Sequence, residues 1–123
     1  VARRHELAQR YNALLQKLPV TVPAQPTDGH SARHLYVVRL QLAQVNRAHG
    51  EVFNRMRKQG VGVNLHYIPV HTQPWYARMG FQPADFPHAM AYYQEAITLP
   101  LYPTLTESDQ MEVVAALEQA VTI

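Results

Sequence analysis

Proline sets the limits on what this chain can fold into. Nine prolines in 123 residues break the chain within 19–26 and again within 69–103, because proline lacks a backbone donor and clashes with the preceding turn of a helix. Residues 19–31, "PVTVPAQPTDGHS", hold three prolines and a glycine, which predicts an extended crossing or loop. Pro69 and Pro74 interrupt the chain after residue 68, and Pro87 stands where a first helical position is favoured. Pro100 and Pro103 curtail whatever strand precedes them.

Between these breaks the apolar pattern is readable. Leu7, Tyr11, Leu14, Leu15 and Leu18 recur on one face of an amphipathic helix that ends before Pro19. "ARHLYVVRLQL", 32–42, is rich in β-branched and aromatic residues and predicts a strand. Leu35 and Val37 face one way there and Tyr36, Val38 and Leu40 the other, so the strand is read as central. Arg39, near its end, is either an edge residue whose head snorkels to water or a buried, paired one. Asn46 is the predicted cap of a helix running to about Gln59, with Val52, Phe53 and Met56 inside and Gly60 as the stop. "VGVNLHYI", 61–68, alternates as a second strand, which sends His66 and Tyr67 to opposite faces.

A short helix is expected over Pro74–Met79, stopping at Gly80, and another from Pro87 to about residue 96. "AITLPLYP", 96–103, predicts the third strand. Thr106 and Asp109 resemble a capping box, with Asp in place of the usual Glu or Gln. Met111, Val114, Leu117 and Val121 are the expected buried stripe of the last helix. The order is helix, loop, strand, helix, strand, helices, strand, helix. It implies one domain over 1–123, an α/β fold with a small, mainly antiparallel sheet and helices packed largely on one face.

Composition excludes several chemistries. The chain has no cysteine, which removes disulfides, thiolate metal sites and cysteine nucleophiles. The formal charge is +2, and Arg3-Arg4 and Arg55, Arg57 and Lys58 read as solvated helix faces, not as the basic stripe of a nucleic-acid binder. No apolar run is long enough to predict a membrane-spanning helix. The two serines, Ser31 and Ser108, sit in no nucleophile elbow. Lys17 and Lys58 fall at helix C-termini, where a cation suits the dipole, and neither predicts a Schiff base.

The densest chemistry is "NLHYIPVHTQPWY", 64–76. His66 and His71, with four residues between them, suggest a metal pair, but a zinc pair on one side of a helix sits at i, i+4, and Pro69 between these two argues against a helix at all. A third ligand from His30, His34, His49, His88 or an acid would come at no recognisable spacing, so no metal is expected. A proline-stiffened loop at a strand end remains, where function concentrates. Against it stands the plainer account that Tyr67, Trp75 and Tyr76 pack over the sheet edge with their polar atoms in water.

Longer motifs weigh on the side of function. "GVGVNLHYIPVH", 60–71, and "AITLPLYPTLTESDQMEVVAAL", 96–117, resemble the C-terminal part of the DegT/DnrJ/StrS family of sugar aminotransferases. "RRHELAQRYNALL" and "HLYVVRL" fit the helix and strand that precede those motifs. "HYIPVHTQPWYARMGF" and "FPHAMAYYQEAITLPLYP" resemble more narrowly the aminotransferases of pseudaminic acid biosynthesis. The resemblance implies the small C-terminal domain of the aspartate-aminotransferase type fold. It implies a cytoplasmic homodimer that uses pyridoxal 5′-phosphate held on a lysine. The amino group, usually from glutamate, passes to a UDP-linked 4-keto-6-deoxy-N-acetylhexosamine. It implies substrate-binding roles for Tyr67 first, then His71, with His66 lining or ordering the same edge.

The chain also departs from the complete family pattern. No residue matches the cofactor lysine or its partners, so no catalytic or cofactor-binding residue is expected here, and no covalently held cofactor. The chain starts inside a helical pattern and reads as a piece of a longer protein, inactive alone and with apolar surface exposed. The rival reading is a free-standing ferredoxin-like α/β binding or regulatory module, contacting anions through Arg39 and its neighbours.

Overall fold

The computed structural model describes residues 1–122. In chain order it has α1 (Ala2–Leu14), β1 (Val20–Thr21), β2 (Tyr36–Leu40), α2 (His49–Lys58), α3 (Pro74–Arg78), α4 (Pro87–Glu95), β3 (Ala96–Leu99) and α5 (Glu107–Val121). The strands form one antiparallel sheet in the order β1-β2-β3. β2 is central, as its two apolar faces predict. Its register pairs Tyr36 with Leu99 and Val38 with Ile97, so these four side chains share one face.

That face carries the core. Leu7, Tyr11 and Leu15 from the first helical segment, Val52 and Met56 from α2, and Val113 and Leu117 from α5 join it in one apolar cluster. The Tyr11 and Tyr36 rings lie 4.9 Å apart. Each buried phenol has a partner, as burial of a hydroxyl requires. Tyr11 donates to Pro100 O at 3.0 Å and Tyr36 to Asn12 Oδ1 at 2.6 Å. Burial raises both hydroxyls above the ordinary tyrosine range, although the Arg33 charge pulls Tyr36 the other way.

Helix ends follow local chemistry. α2 stops in a Schellman motif. Gly60, at φ +83°, donates to Arg57 O at 3.0 Å, and Val61 donates to Met56 O at 3.1 Å. Glycine carries no Cβ penalty in that left-handed turn. α5 opens on the predicted box: Asp109 N donates to Thr106 Oγ1 at 3.0 Å and Thr106 N to Asp109 Oδ2 at 3.1 Å. The Thr106 hydroxyl and amide hold the Asp109 carboxyl below its ordinary value.

Four expectations need correction. Residues 61–68 are not a strand: only Asn64 bridges, to Thr98, and the third strand is the two-residue β1 inside the proline-rich stretch. α2 is preceded by Ala48, not capped by Asn46. Arg47 binds the carbonyls of Ala120 and Thr122, which ties 46–48 to the end of α5 and starts the helix late. The α5 stripe is rotated: Gln110, Val113, Ala116, Leu117, Ala120 and Val121 are buried, Val114 is partly buried and Met111 is exposed. Arg39 is neither of its two predicted forms alone. It is exposed yet paired, 2.7 Å from Glu95 and over the Tyr92 ring at 5.9 Å. No helix among the described residues is long and apolar enough to cross a membrane.

Candidate functional site

Residues 60–71 leave α2 and cross β3 at one point. Val61 and Val63 are buried and anchor the segment in the core. The bridge follows, with Asn64 N donating to Thr98 O at 3.1 Å and Thr98 N to Asn64 O at 2.8 Å. Thr98 points to the sheet face away from Ile97 and Leu99, where its hydroxyl meets His66. His66 Nδ1 and Thr98 Oγ1 are hydrogen-bonded at 2.9 Å. The imidazole is half-buried and stands edge-on to the Tyr67 ring at 4.6 Å. His66 is thus fixed from below, and Tyr67 projects beyond it, 71% exposed.

Pro69 is buried and starts a single 3-10 turn over Val70–Thr72. Thr72 closes it, donating through both its amide and its hydroxyl to Pro69 O. The turn points His71 inward. It is 8% exposed, donates from Nε2 to Pro83 O at 3.3 Å and lies against Phe86 at 4.7 Å between ring centres. Pro69, Val70, Tyr76, Phe81, Phe86 and Ala89 surround it, lining an apolar cavity of about 360 Å³. Tyr67, Ile68, Val70, Trp75 and Met79 are all exposed.

The three sequence-predicted site residues therefore share one segment but not one pocket. Tyr67 faces solvent, His66 is tied to the sheet, and His71 is tied to the loop before α4. The segment bridges once and then turns away, so strand alternation does not set the directions of His66 and Tyr67. Sequence reasoning missed Thr98, the hydroxyl that holds His66. Its position just before the L-P-L run was a visible signal. It also missed the carbonyl of Pro83 and the ring of Phe86 that seat His71.

The other histidines are dispersed. His49 donates to Ala96 O at 2.8 Å, His30 stacks on His5, and His34 and His88 are exposed. Among the described residues no three His, Asp or Glu side chains gather as a metal set. A pyridoxal phosphate lysine needs an enclosed site with phosphate donors and a ring partner. Lys17 and Lys58 are both exposed, and Lys58 stands beside Glu51, Asn54 and Arg55 on the open side of α2. The residues present do not fit that cofactor on either lysine.

Comparison with known proteins gives this geometry a context. The model of the DegT/DnrJ/EryC1/StrS aminotransferase family matches residues 1–118. The spore coat polysaccharide biosynthesis protein SpsC of Bacillus subtilis is 35% identical over 122 residues, covering 97% of this chain and 31% of SpsC. Spr1654 of Streptococcus pneumoniae in its PMP form superposes with a TM-score of 0.88 at 26% identity, over 98% of this chain and 30% of that one. PseC of Helicobacter pylori, an aminotransferase involved in pseudaminic acid biosynthesis, superposes with a TM-score of 0.86 over 98% of this chain and 32% of PseC. At 19% identity it shows a shared fold alone. The chain spans about a third of the length of each of these proteins. With its model matched from the first residue almost to the last, the chain belongs to the DegT/DnrJ/EryC1/StrS aminotransferase family.

Proposed function

We propose that residues 1–123 are a single domain, the C-terminal small domain of a pyridoxal phosphate-dependent sugar aminotransferase, and that the segment 66–71 forms the substrate side of its site. The observation that carries this reading is the family match over nearly the whole chain, joined to the exposure of Tyr67 on a segment that is otherwise pinned. The PMP form of Spr1654 supports the cofactor class. The cofactor and its lysine belong to the remainder of the full-length enzyme, since Lys17 and Lys58 do not suit it. When bound there, it supplies the electron sink for amino transfer.

This chain's own residues orient and enclose. Tyr67 offers a phenolic hydroxyl, donor and acceptor, to the sugar nucleotide. His66 holds the Tyr67 ring edge and is held by Thr98. His71 orders the turn that brings Pro69 inward, and the apolar residues around it exclude water from that wall. The donor is glutamate and the acceptor a UDP-linked 4-keto-6-deoxy-N-acetylhexosamine, on the narrower resemblance to pseudaminic acid enzymes. The enzyme is read as a cytoplasmic homodimer.

The test uses full-length protein incubated with pyridoxal phosphate, glutamate and that keto sugar. Formation of the 4-amino sugar is the expected result. Absence of amination with any UDP-keto sugar, while glutamate converts the cofactor to its amino form, overturns the substrate class. No cofactor conversion at all overturns the enzyme reading and favours a binding module.

A further inference from the structure

Away from the segment 66–71, α1 and the loop 25–33 enclose a polar cavity of about 420 Å³. Its polar lining is His5, Gln9, Asn12, Gln25, His30 and Arg33. Among the described residues no carboxylate contributes. We infer that this cavity is a binding site for a phosphate-class oxyanion, with Arg33 as its charge and His5 and His30 as its walls.

Arg33 is the reason. It is 8% exposed, so its guanidinium has lost most of its water. It takes part in none of the ion pairs among the described residues. One N–H is spent on Gln25 Oε1, and its Nε is buried with no acceptor among the described residues. A buried cation without a counter-ion is costly unless an anion offsets it. The backbone holds this arrangement against its own preference. Arg33 has φ +52°, a left-handed conformation that a non-glycine residue keeps only when its surroundings impose it. Those surroundings are specific: Ser31 Oγ accepts from Arg33 N at 3.1 Å, and Arg4 Nη1 donates to Arg33 O and His34 O at 3.2 and 3.1 Å.

The lining supplies further donors. The His5 and His30 rings stack at 4.3 Å with planes 5° apart. His5 donates Nε2–H to Ser31 O at 2.6 Å, which fixes its ring, while His30 has no hydrogen-bond partner among the described residues and is free to turn a nitrogen inward. Asn12 accepts the Tyr36 hydroxyl with its oxygen, so its amide N–H groups remain available. A guanidinium fork surrounded by several separate N–H donors suits the three or four oxygens of a phosphate better than the two of a carboxylate.

The experiment is isothermal titration calorimetry of the full-length protein, saturated with pyridoxal phosphate, against inorganic phosphate and against methyl phosphate at matched ionic strength. His30→Ala is the working variant, because His30 is exposed and makes no hydrogen bond among the described residues. Arg33→Lys keeps the charge and removes the fork. The expected result is saturable binding that weakens about tenfold in His30→Ala, the size of one charge-assisted hydrogen bond, and further in Arg33→Lys. A response to inorganic phosphate alone assigns the free ion; a response to both assigns a phosphoryl group of a larger molecule. No saturable binding, or equal affinity in wild type and His30→Ala, overturns the site and leaves Arg33 to be paired by a carboxylate from elsewhere in the protein.

Discussion

Thr98→Val isolates the contact that fixes His66 below Tyr67. The substitution keeps the β-branched shape that suits β3 and both backbone bonds to Asn64. It removes only the hydroxyl 2.9 Å from His66 Nδ1. His66 is half-buried, so water can replace the lost partner and the full penalty of an orphaned group does not apply. The net loss is then one ordinary hydrogen bond, about 1 kcal/mol. That amount raises the open population of the bridge about fivefold. Hydrogen exchange read by mass spectrometry on full-length protein measures it directly at the amides of Asn64 and Thr98, whose mutual bonds close the bridge. The amides of β2, on the other side of β3, keep their rates, and Thr98→Ser, which retains the hydroxyl, restores protection. Unchanged exchange in Thr98→Val, or equal loss in Thr98→Ser, refutes the claim that the hydroxyl anchors the segment.

Gln110 is 0% exposed, with Nε2 donating to Leu7 O at 2.7 Å and Oε1 unpartnered among the described residues. Gln110→Leu removes an unsatisfied oxygen along with one bond and leaves stability within about 1 kcal/mol of wild type or above it; Gln110→Ala opens a cavity and costs about 3 kcal/mol, both read by urea unfolding. Gly60→Ala forces a Cβ into a φ of +83° and lowers stability by about 1 kcal/mol, read by the same unfolding. Folding keeps the Tyr11 and Tyr36 hydroxyls protonated above the range of a free tyrosine. Their contribution is therefore complete below about pH 10 and is lost as pH rises through their raised values. A phenolate absorbance titration shows two tyrosines appearing only with alkaline unfolding; their titration at ordinary values in folded protein contradicts the burial argument.

What the sequence made legible was local chemistry. Gly60 as a helix stop, Pro87 as a first helical residue and the Thr106–Asp109 box depend on neighbours a few residues apart, and each is where the pattern put it. The failures were non-local. Val61, Val63 and Leu65 alternate like a strand because the two valines reach the core, yet the backbone pairs with the sheet only at Asn64 before Pro69 turns it away. β1 is two residues long and lies among prolines, and only its register against Arg39 and Leu40 creates it. Asn46 had the right side chain for a cap, but Arg47 gripping the end of α5 moved the helix start. At the candidate site the residue types were readable and their directions were not. Tyr67 outward, His66 down onto Thr98 and His71 in toward Phe86 follow from contacts 12 to 32 residues away in sequence.

The central claim is that Tyr67 touches the sugar nucleotide in the full-length enzyme. Steady-state kinetics of Tyr67→Phe with glutamate and the UDP-linked keto sugar test it most directly. Phenylalanine keeps the ring against His66 and removes only the hydroxyl, so the account predicts a kcat/KM for the keto sugar lower by about tenfold. The rate of the glutamate half-reaction stays as it was. A kcat/KM for the sugar equal to wild type would contradict it.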